Sequence, residues 1–325
     1  MTGLTAPDLA DVLAARKRIA PYLRPTPLYR YPALDAVAGT QVWVKHENHL
    51  PVGAFKVRGG VNLVSQLSAQ ERHSGVITAS TGNHGQSVAY AAHLFGVHAI
   101  VCVPERSNPV KVESMRALGA EVTFVGRDFD DAREHCEKQA IEHGYRYIHS
   151  GNEPMLVAGV GTYTLEILED EPDLDVIVVP VGGGSGAAGV CTVTKAVRPS
   201  IEVIGVQAEA APAAHRSWRA RSLVTAPNST LAEGLATRTA FDLPQRILWR
   251  LLDDFVLVSE DALRAATRTM IEKTKNLVEP AGAAALAAVL ADPARFADRK
   301  VAIVCSGGNI SPAQLVELWA GGQAG

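Results

Sequence analysis

The chain alternates short apolar runs with longer segments in which apolar residues recur every three or four positions. The short runs, at 42–45, 76–80, 99–103, 121–125, 176–181, 203–207, 255–258 and 301–305, have the length and branched-residue content of strands. Val176-Ile177-Val178-Val179-Pro180-Val181 is apolar throughout, as a strand covered on both faces must be. The intervening segments are long enough for helical crossovers, and the Ala-rich stretches 10–20 and 281–291 read as packed helices. This alternation predicts an α/β fold with a mainly parallel sheet.

Three of the predicted strands run directly into small or polar residues and then into a helical pattern. Strand 176–181 is followed by Gly182-Gly183-Gly184-Ser185-Gly186, and strand 301–305 by Ser306-Gly307-Gly308-Asn309. Strand 76–80 leads into Thr81-Gly82-Asn83-His84-Gly85. In open α/β sheets the carboxyl ends of strands border the ligand crevice. A glycine run before a helix exposes backbone N–H groups to an anion, and the helix dipole favours the charge. No Lys-Ser/Thr pair closes the 182–186 loop, and it lacks the GxGxxG spacing of dinucleotide folds. It therefore reads as a cup for a small phosphorylated ligand, against the plainer reading of a tight turn. Around 78–85, hydroxyls and backbone donors converge where a carboxylate would be welcome. A helix cap by Ser80 or Thr81 accounts for the hydroxyls, but it does not require Asn83 and His84.

Gly53-Ala54-Phe55-Lys56-Val57-Arg58-Gly59-Gly60 supplies the candidate reactive group. A lysine held against apolar neighbours loses hydration, which lowers its pKa and frees the amine to attack an aldehyde. Alone, Lys56 would pass for a solvated surface residue. Beside a phosphate cup it suggests a Schiff base with pyridoxal phosphate.

These segments, together with Pro25-Thr26-Pro27-Leu28 and Glu279-Pro280-Ala281-Gly282, give the chain its resemblance to a known family. It resembles the fold-type II pyridoxal-phosphate enzymes, which are tryptophan synthase beta-like, and within them the threonine/serine dehydratase and serine racemase branch. The motifs occur in the family's order and cover nearly the whole chain. The resemblance implies two three-layer α/β/α domains with mainly parallel sheets. A large cofactor-binding domain would comprise 1–47 and 146–325, and a smaller one, 48–145, would carry Lys56 and the Ser80–His84 loop.

The resemblance also implies roles. Lys56 would hold the cofactor covalently and act as acid and base, and Phe55 would lie against the cofactor ring. Asn83 would hydrogen-bond the phenolic oxygen. Gly182, Gly183, Gly184, Ser185 and Gly186 would hold the phosphate, and Ser306 would face the pyridine nitrogen. Gly234 and Glu279 would line the cofactor site, and Ser80, Thr81 and His84 would receive the substrate carboxylate. A hydroxyl at 306 keeps the pyridine nitrogen protonated less well than a carboxylate would, which favours prompt loss of a β-leaving group. The expected reaction is β-elimination from a 3-hydroxy amino acid (threonine, serine or a bulkier 3-substituted serine), giving a 2-oxo acid and ammonia. Racemisation is the alternative, with Thr81 as a second catalytic residue where racemising relatives carry serine. A non-catalytic ligand-binding protein is the third reading. Glu209 aligns with a divalent-cation site of some relatives, but His215 stands where an acidic ligand is expected. Gly151, where the family often has an acidic or aromatic segment, is expected to open space beside the substrate side chain. Relatives under allosteric control carry a further C-terminal domain, so feedback inhibition by that route is not expected.

Composition fits a metabolic enzyme. The 325 residues are 47% hydrophobic and 20% charged, with a net charge of −3. That balance gives no electrostatic case for nucleic acid or membrane partners. Cys102, Cys136, Cys191 and Cys305 are too scattered for a zinc site or a disulfide framework, and read as core thiols in a reducing compartment. Asp8 and Asp11 in an N-terminus without an apolar core argue against a secretory signal. No apolar run is long enough to span a bilayer. A cytoplasmic homodimer acting on a small amino acid is expected.

Overall fold

The computed structural model describes residues 3–80, 82–127 and 129–320. Its strands, in chain order, are β1 Leu28–Arg30, β2 Gln41–His46, β3 Val76–Ala79, β4 Ala99–Val103, β5 Glu121–Phe124, β6 Arg146–Tyr147, β7 Val176–Pro180, β8 Glu202–Ala208, β9 Asp254–Val258 and β10 Lys300–Cys305. They form two sheets. The larger has the order β1-β2-β10-β7-β8-β9, and the smaller β5-β4-β3-β6. All neighbours pair in parallel except β1 with β2.

Both faces of each sheet are covered, which is why the strands read as apolar runs rather than as alternating patterns. In β7, Val176 and Val178 enter one buried cluster with Ile204, Val206, Val301 and Ile303. Ile177 and Val179 enter the opposite cluster with Val203, Ala302 and Val304. The smaller sheet divides in the same way. Val76, Val101 and Val103 face one side, and Ile77, Ala79, Ile100 and Cys102 the other. All four cysteines are buried and free. β1 and β6 escape the sequence pattern because they are only three and two residues long and carry Arg30 and Arg146. β6 also carries the smaller sheet to Tyr147, just past the expected boundary at 145.

Lys56 opens the helix Lys56–Val64. Gly59 and Gly60 let that helix lie directly against two others. A Cβ on Gly59 would stand 2.9 Å from the Leu156 carbonyl oxygen, and one on Gly60 would stand 2.3 Å from Ser87 Oγ. Ser87 Oγ in turn donates to the Lys56 carbonyl at 2.7 Å. The segment before the lysine is laced to the end of β10. Phe55 N donates to Ser306 O at 3.1 Å, and Gly308 N to Gly53 O at 2.9 Å. Gly53 takes a φ of +65°, which favours glycine.

Arg58, two residues beyond the lysine, is fully buried and forks onto two carboxylates. Its Nε and Nη2 donate to Glu47 at 2.7 and 2.8 Å, and its Nη1 and Nη2 to Glu166 at 2.6 and 2.8 Å. Lys45 Nζ completes the balance, 2.7 Å from Glu166 Oε2. Thr26 donates through Oγ1 to Glu47 at 2.6 Å, and its carbonyl accepts from Lys45 at the same distance. The Pro25-Thr26-Pro27-Leu28 motif is thus part of this cluster. Burial works against the guanidinium charge, but Glu47 and Glu166 outweigh it and hold Arg58 protonated. Burial likewise opposes the Glu166 carboxylate, and Arg58 and Lys45 overcome it.

Removing one member of a buried ion group strands its partners without solvent. Arg58→Met is expected to destabilise the protein by about 3–5 kcal/mol, read as a lowered urea midpoint. A loss below about 1 kcal/mol, the level of a surface pair, would contradict this account.

Candidate active site

The carboxyl ends of β3, β4, β7 and β10 converge on one cavity of about 400 Å³. Its wall includes Phe55, Lys56, Ser80, Asn83, His84, Gly182 to Gly186, Gly234, Glu279 and Ser306. These are the candidate residues picked out from the sequence, now gathered from distant segments. Thr81 lies outside the described residues. Glu209 is exposed just beyond β8 and does not line the cavity. Among the described residues, no group of three or more His, Cys, Asp or Glu side chains is placed to hold a metal ion.

Lys56 is half-buried at this cavity. Its Nζ donates to Ser185 Oγ at 3.1 Å and to the Ser150 carbonyl at 3.4 Å, and lies 5.1 Å from the Phe55 ring centroid. None of these neighbours is anionic. Loss of hydration therefore lowers the Lys56 pKa from 10.5 to about 8.

The glycine loop ends at Gly184, which takes a φ of +90° and starts the helix Ser185–Val197. No side chain caps this helix, so its first N–H groups and its dipole are directed at the cavity. Side chains are excluded from the loop on close approach. A Cβ on Gly182 would stand 2.2 Å from the Gly234 carbonyl oxygen, and one on Gly184 would stand 2.9 Å from Pro244 Cβ.

A second helix, Asn83–Phe95, also points its N-terminus at the cavity. Ser80 Oγ accepts from Gly82 N at 3.0 Å and from Gly85 N at 2.8 Å. Its hydroxyl therefore shapes this turn. His84 is buried, and its Nε2 faces the Ile148 carbonyl at 3.4 Å, which sets that nitrogen as the donor. Nδ1 is left as a buried acceptor with no protein partner. Desolvation, reinforced by the nearby Lys56, lowers the His84 pKa to about 3, so the ring is neutral at pH 7.

Asn83 Nδ2 donates to Glu279 Oε1 at 2.6 Å, and its Oδ1 accepts from Asn309 Nδ2 at 2.8 Å. One N–H of Asn83 remains for a ligand. Burial raises the Glu279 pKa, opposed by Lys111 at 3.8 Å and by the bond from Asn83. Lys111 Nζ also donates to Glu233, another wall residue. Lys111, Glu233, Ser150 and Phe241 are wall residues that sequence reasoning missed. Lys111 had a usable signal, because it follows the end of β4 at the start of the helix Pro109–Ala117. The same strand-to-helix rule that singled out β3, β7 and β10 applies there.

Gly151 corrects an expectation. It does not open space for a substrate, because a Cβ there would stand 2.5 Å from Phe241 Cδ2. The space that the missing side chain leaves is filled by that ring.

The chain matches the family described as pyridoxal-phosphate dependent enzyme over residues 19–307. It belongs to that family. An L-threonine ammonia-lyase of Thermotoga maritima is 39% identical over 305 residues, covering 93% of this chain and 75% of that protein. Maize serine racemase superposes with a TM-score of 0.91 at 32% identity, covering 98% of both chains. A threonine deaminase of T.th. superposes with a TM-score of 0.89 at 38% identity, covering 94% of this chain and 99% of that one. The cavity of this pyridoxal-phosphate enzyme suits the cofactor. It pairs one desolvated amine with an uncapped helix terminus built to meet a phosphate.

Because Lys56 deprotonates near pH 8, its modification by trinitrobenzenesulfonate in cofactor-free protein should rise with a midpoint near that value. Peptide mapping across roughly pH 6 to 11, the range separating shifted from ordinary lysines, reads this directly. A midpoint near an unperturbed lysine's 10.5 would refute the desolvation account.

Proposed function

We propose that this enzyme is an ammonia-lyase that eliminates the hydroxyl of L-threonine or L-serine, giving a 2-oxo acid and ammonia. The observation that carries the reading is the desolvated amine of Lys56, which, unlike Lys111, has no carboxylate partner among the described residues and is set between the glycine loop and the N-terminus of the Asn83–Phe95 helix. The relatives named above as a threonine ammonia-lyase and a threonine deaminase support the substrate class.

Bound pyridoxal phosphate supplies a reactive aldehyde and an electron sink for the bond broken at the substrate Cα. The protein's share is to position and to move protons. Gly182 to Gly186 would present backbone donors to the phosphate. Lys56 would hold the cofactor's aldehyde and, once released from it, would be free to move protons, and Phe55 would lie beside the ring. Asn83 would offer its remaining N–H to the phenolic oxygen, with Glu279 and Gly234 bounding the site. Ser306 would offer the ring nitrogen a neutral hydroxyl in place of a carboxylate. Lys56 Nζ, with a pKa of about 8, takes the Cα proton and can return it near neutral pH. The substrate carboxylate is met by the N–H groups and dipole at the start of the Asn83–Phe95 helix, with Ser80 holding the turn. His84, being neutral, contributes shape rather than charge.

Likeness to maize serine racemase supports racemisation as the alternative reading of the same site, with Thr81 as its second catalytic residue. We further place the protein as a cytoplasmic homodimer of two-domain subunits, 48–145 forming the smaller domain. The free buried cysteines and near-neutral charge are in keeping with that setting. Among the described residues, no helix is long and apolar enough to cross a membrane.

The test is a panel of serine, threonine, 3-hydroxyaspartate and aryl-substituted serines, with oxo-acid detection and chiral analysis of residual substrate. Threonine and serine should yield oxo acid and ammonia, and Lys56→Ala should abolish both this turnover and the bound cofactor's visible absorption. D-serine without oxo acid would favour racemisation. Full ammonia release by Lys56→Ala would remove the mechanism.

A further inference from the structure

Phe241 lines the cavity but has no part in the reaction as assigned. Its ring sits in a slot made by two glycines. A Cβ on Gly151 would stand 2.5 Å from Phe241 Cδ2, and a Cβ on Gly183 would stand 2.2 Å from Cε2. Real side chains do not approach so closely, so the ring holds this place only because both positions lack one.

The ring is also fixed from the side. It meets His149 edge to face, with centroids 4.7 Å apart at 85°. His149 is itself held, because Nδ1 accepts from both Gly151 N and Asn152 N at 3.0 Å. Accepting there requires a neutral imidazole. Burial, with help from Arg133 and Lys56, lowers the His149 pKa to about 4 and keeps it neutral. Asn152 Oδ1 then accepts from Leu243 N at 3.0 Å, tying the same turn to the chain just beyond Phe241. The held turn therefore bounds the ring on this side.

The slot adjoins the reactive amine. Ser150, whose carbonyl accepts from Lys56, precedes Gly151, and Ser185, whose hydroxyl accepts from Lys56, is two residues beyond Gly183. A substrate whose Cα faces Lys56 must direct its side chain into the remaining space of a cavity of about 400 Å³, which also has to hold the cofactor.

We propose that Phe241, clasped between Gly151 and Gly183, sets the upper size of the substituent that the substrate carries at its β-carbon, admitting hydrogen or methyl and turning away an aryl group. This deepens the β-elimination reading above and rests on it. The bound is steric, so it acts on the ratio of kcat/KM between large and small substrates rather than on the chemical step.

The experiment compares wild-type holoenzyme with Phe241→Ala and the milder Phe241→Leu, using threonine and 3-phenylserine. The phenylserine-to-threonine ratio of kcat/KM should rise about 10-fold or more in Phe241→Ala, and by less in Phe241→Leu. Gly151→Ala should lower threonine turnover by displacing the ring, and Gly151→Ala/Phe241→Ala should recover it. A turnover-independent readout is the shift in melting temperature with L-phenylalanine against L-alanine. L-phenylalanine should stabilise only the variants with the smaller residue at 241. An unchanged substrate ratio in both variants would overturn the proposal, as would a variant that loses cofactor affinity with no change in ratio. If wild type eliminates none of the panel, the reaction assignment fails, and the melting shifts alone then decide the role of the ring.

Discussion

The buried fork of Arg58 onto Glu47 and Glu166 is the constraint on which the site depends. It joins β2's end, the lysine-bearing helix and the helix Pro154–Asp170, and it stands about half a helical turn from Lys56. Two cations and two carboxylates, Lys45 included, balance in the interior, with Glu166 alone retaining slight exposure. Such a group is a poor source of net stability compared with well-packed apolar residues, because taking four charges from water is costly. Its value lies in direction. A bidentate guanidinium accepts little rotation, so the start of the helix is held in one orientation, and with it the reactive amine.

The same segment shows how a lysine is kept both reactive and located. Charge partners would raise its pKa, and open water would leave it ordinary. Here the anchoring charge sits at Arg58, while Lys56 itself meets a hydroxyl, a carbonyl and a phenyl ring among the described residues. Separating the two duties by two residues lets the backbone be pinned electrostatically while the amine stays desolvated. The carboxylates nearest the cavity, Glu233 and Glu279, are engaged instead by Lys111 and Asn83.

Much of this was legible in the sequence, for a physical reason. Strands covered on both faces must be apolar throughout, so β7, β8 and β10 announce themselves, and glycines forced by close backbone approach mark the loops that follow them. β1 and β6 were not legible, since two or three residues give no period. Glu47, Glu166 and Arg58 each read as an ordinary charged residue, because their pairing spans 11 to 108 positions. Gly151 shows the deeper limit. A missing side chain leaves space, but only the fold reveals that a ring from position 241 has taken it.

The basic groups of the cavity wall differ in the charge they can offer an anion. His84, with its pKa lowered to about 3, is uncharged at neutral pH, and so is His149 behind the wall, at about 4. Lys56 is largely stripped of hydration, and Lys111 is committed to Glu233. Arg106 and Arg127 line the cavity as well, both exposed, and the helix N-termini at Gly184 and Gly82 add donors that carry no titratable charge. Fixed backbone dipoles cannot be titrated away and need not reorganise when charge shifts during the reaction. The close contacts at Gly182 and Gly184 are therefore the means by which the site holds its geometry.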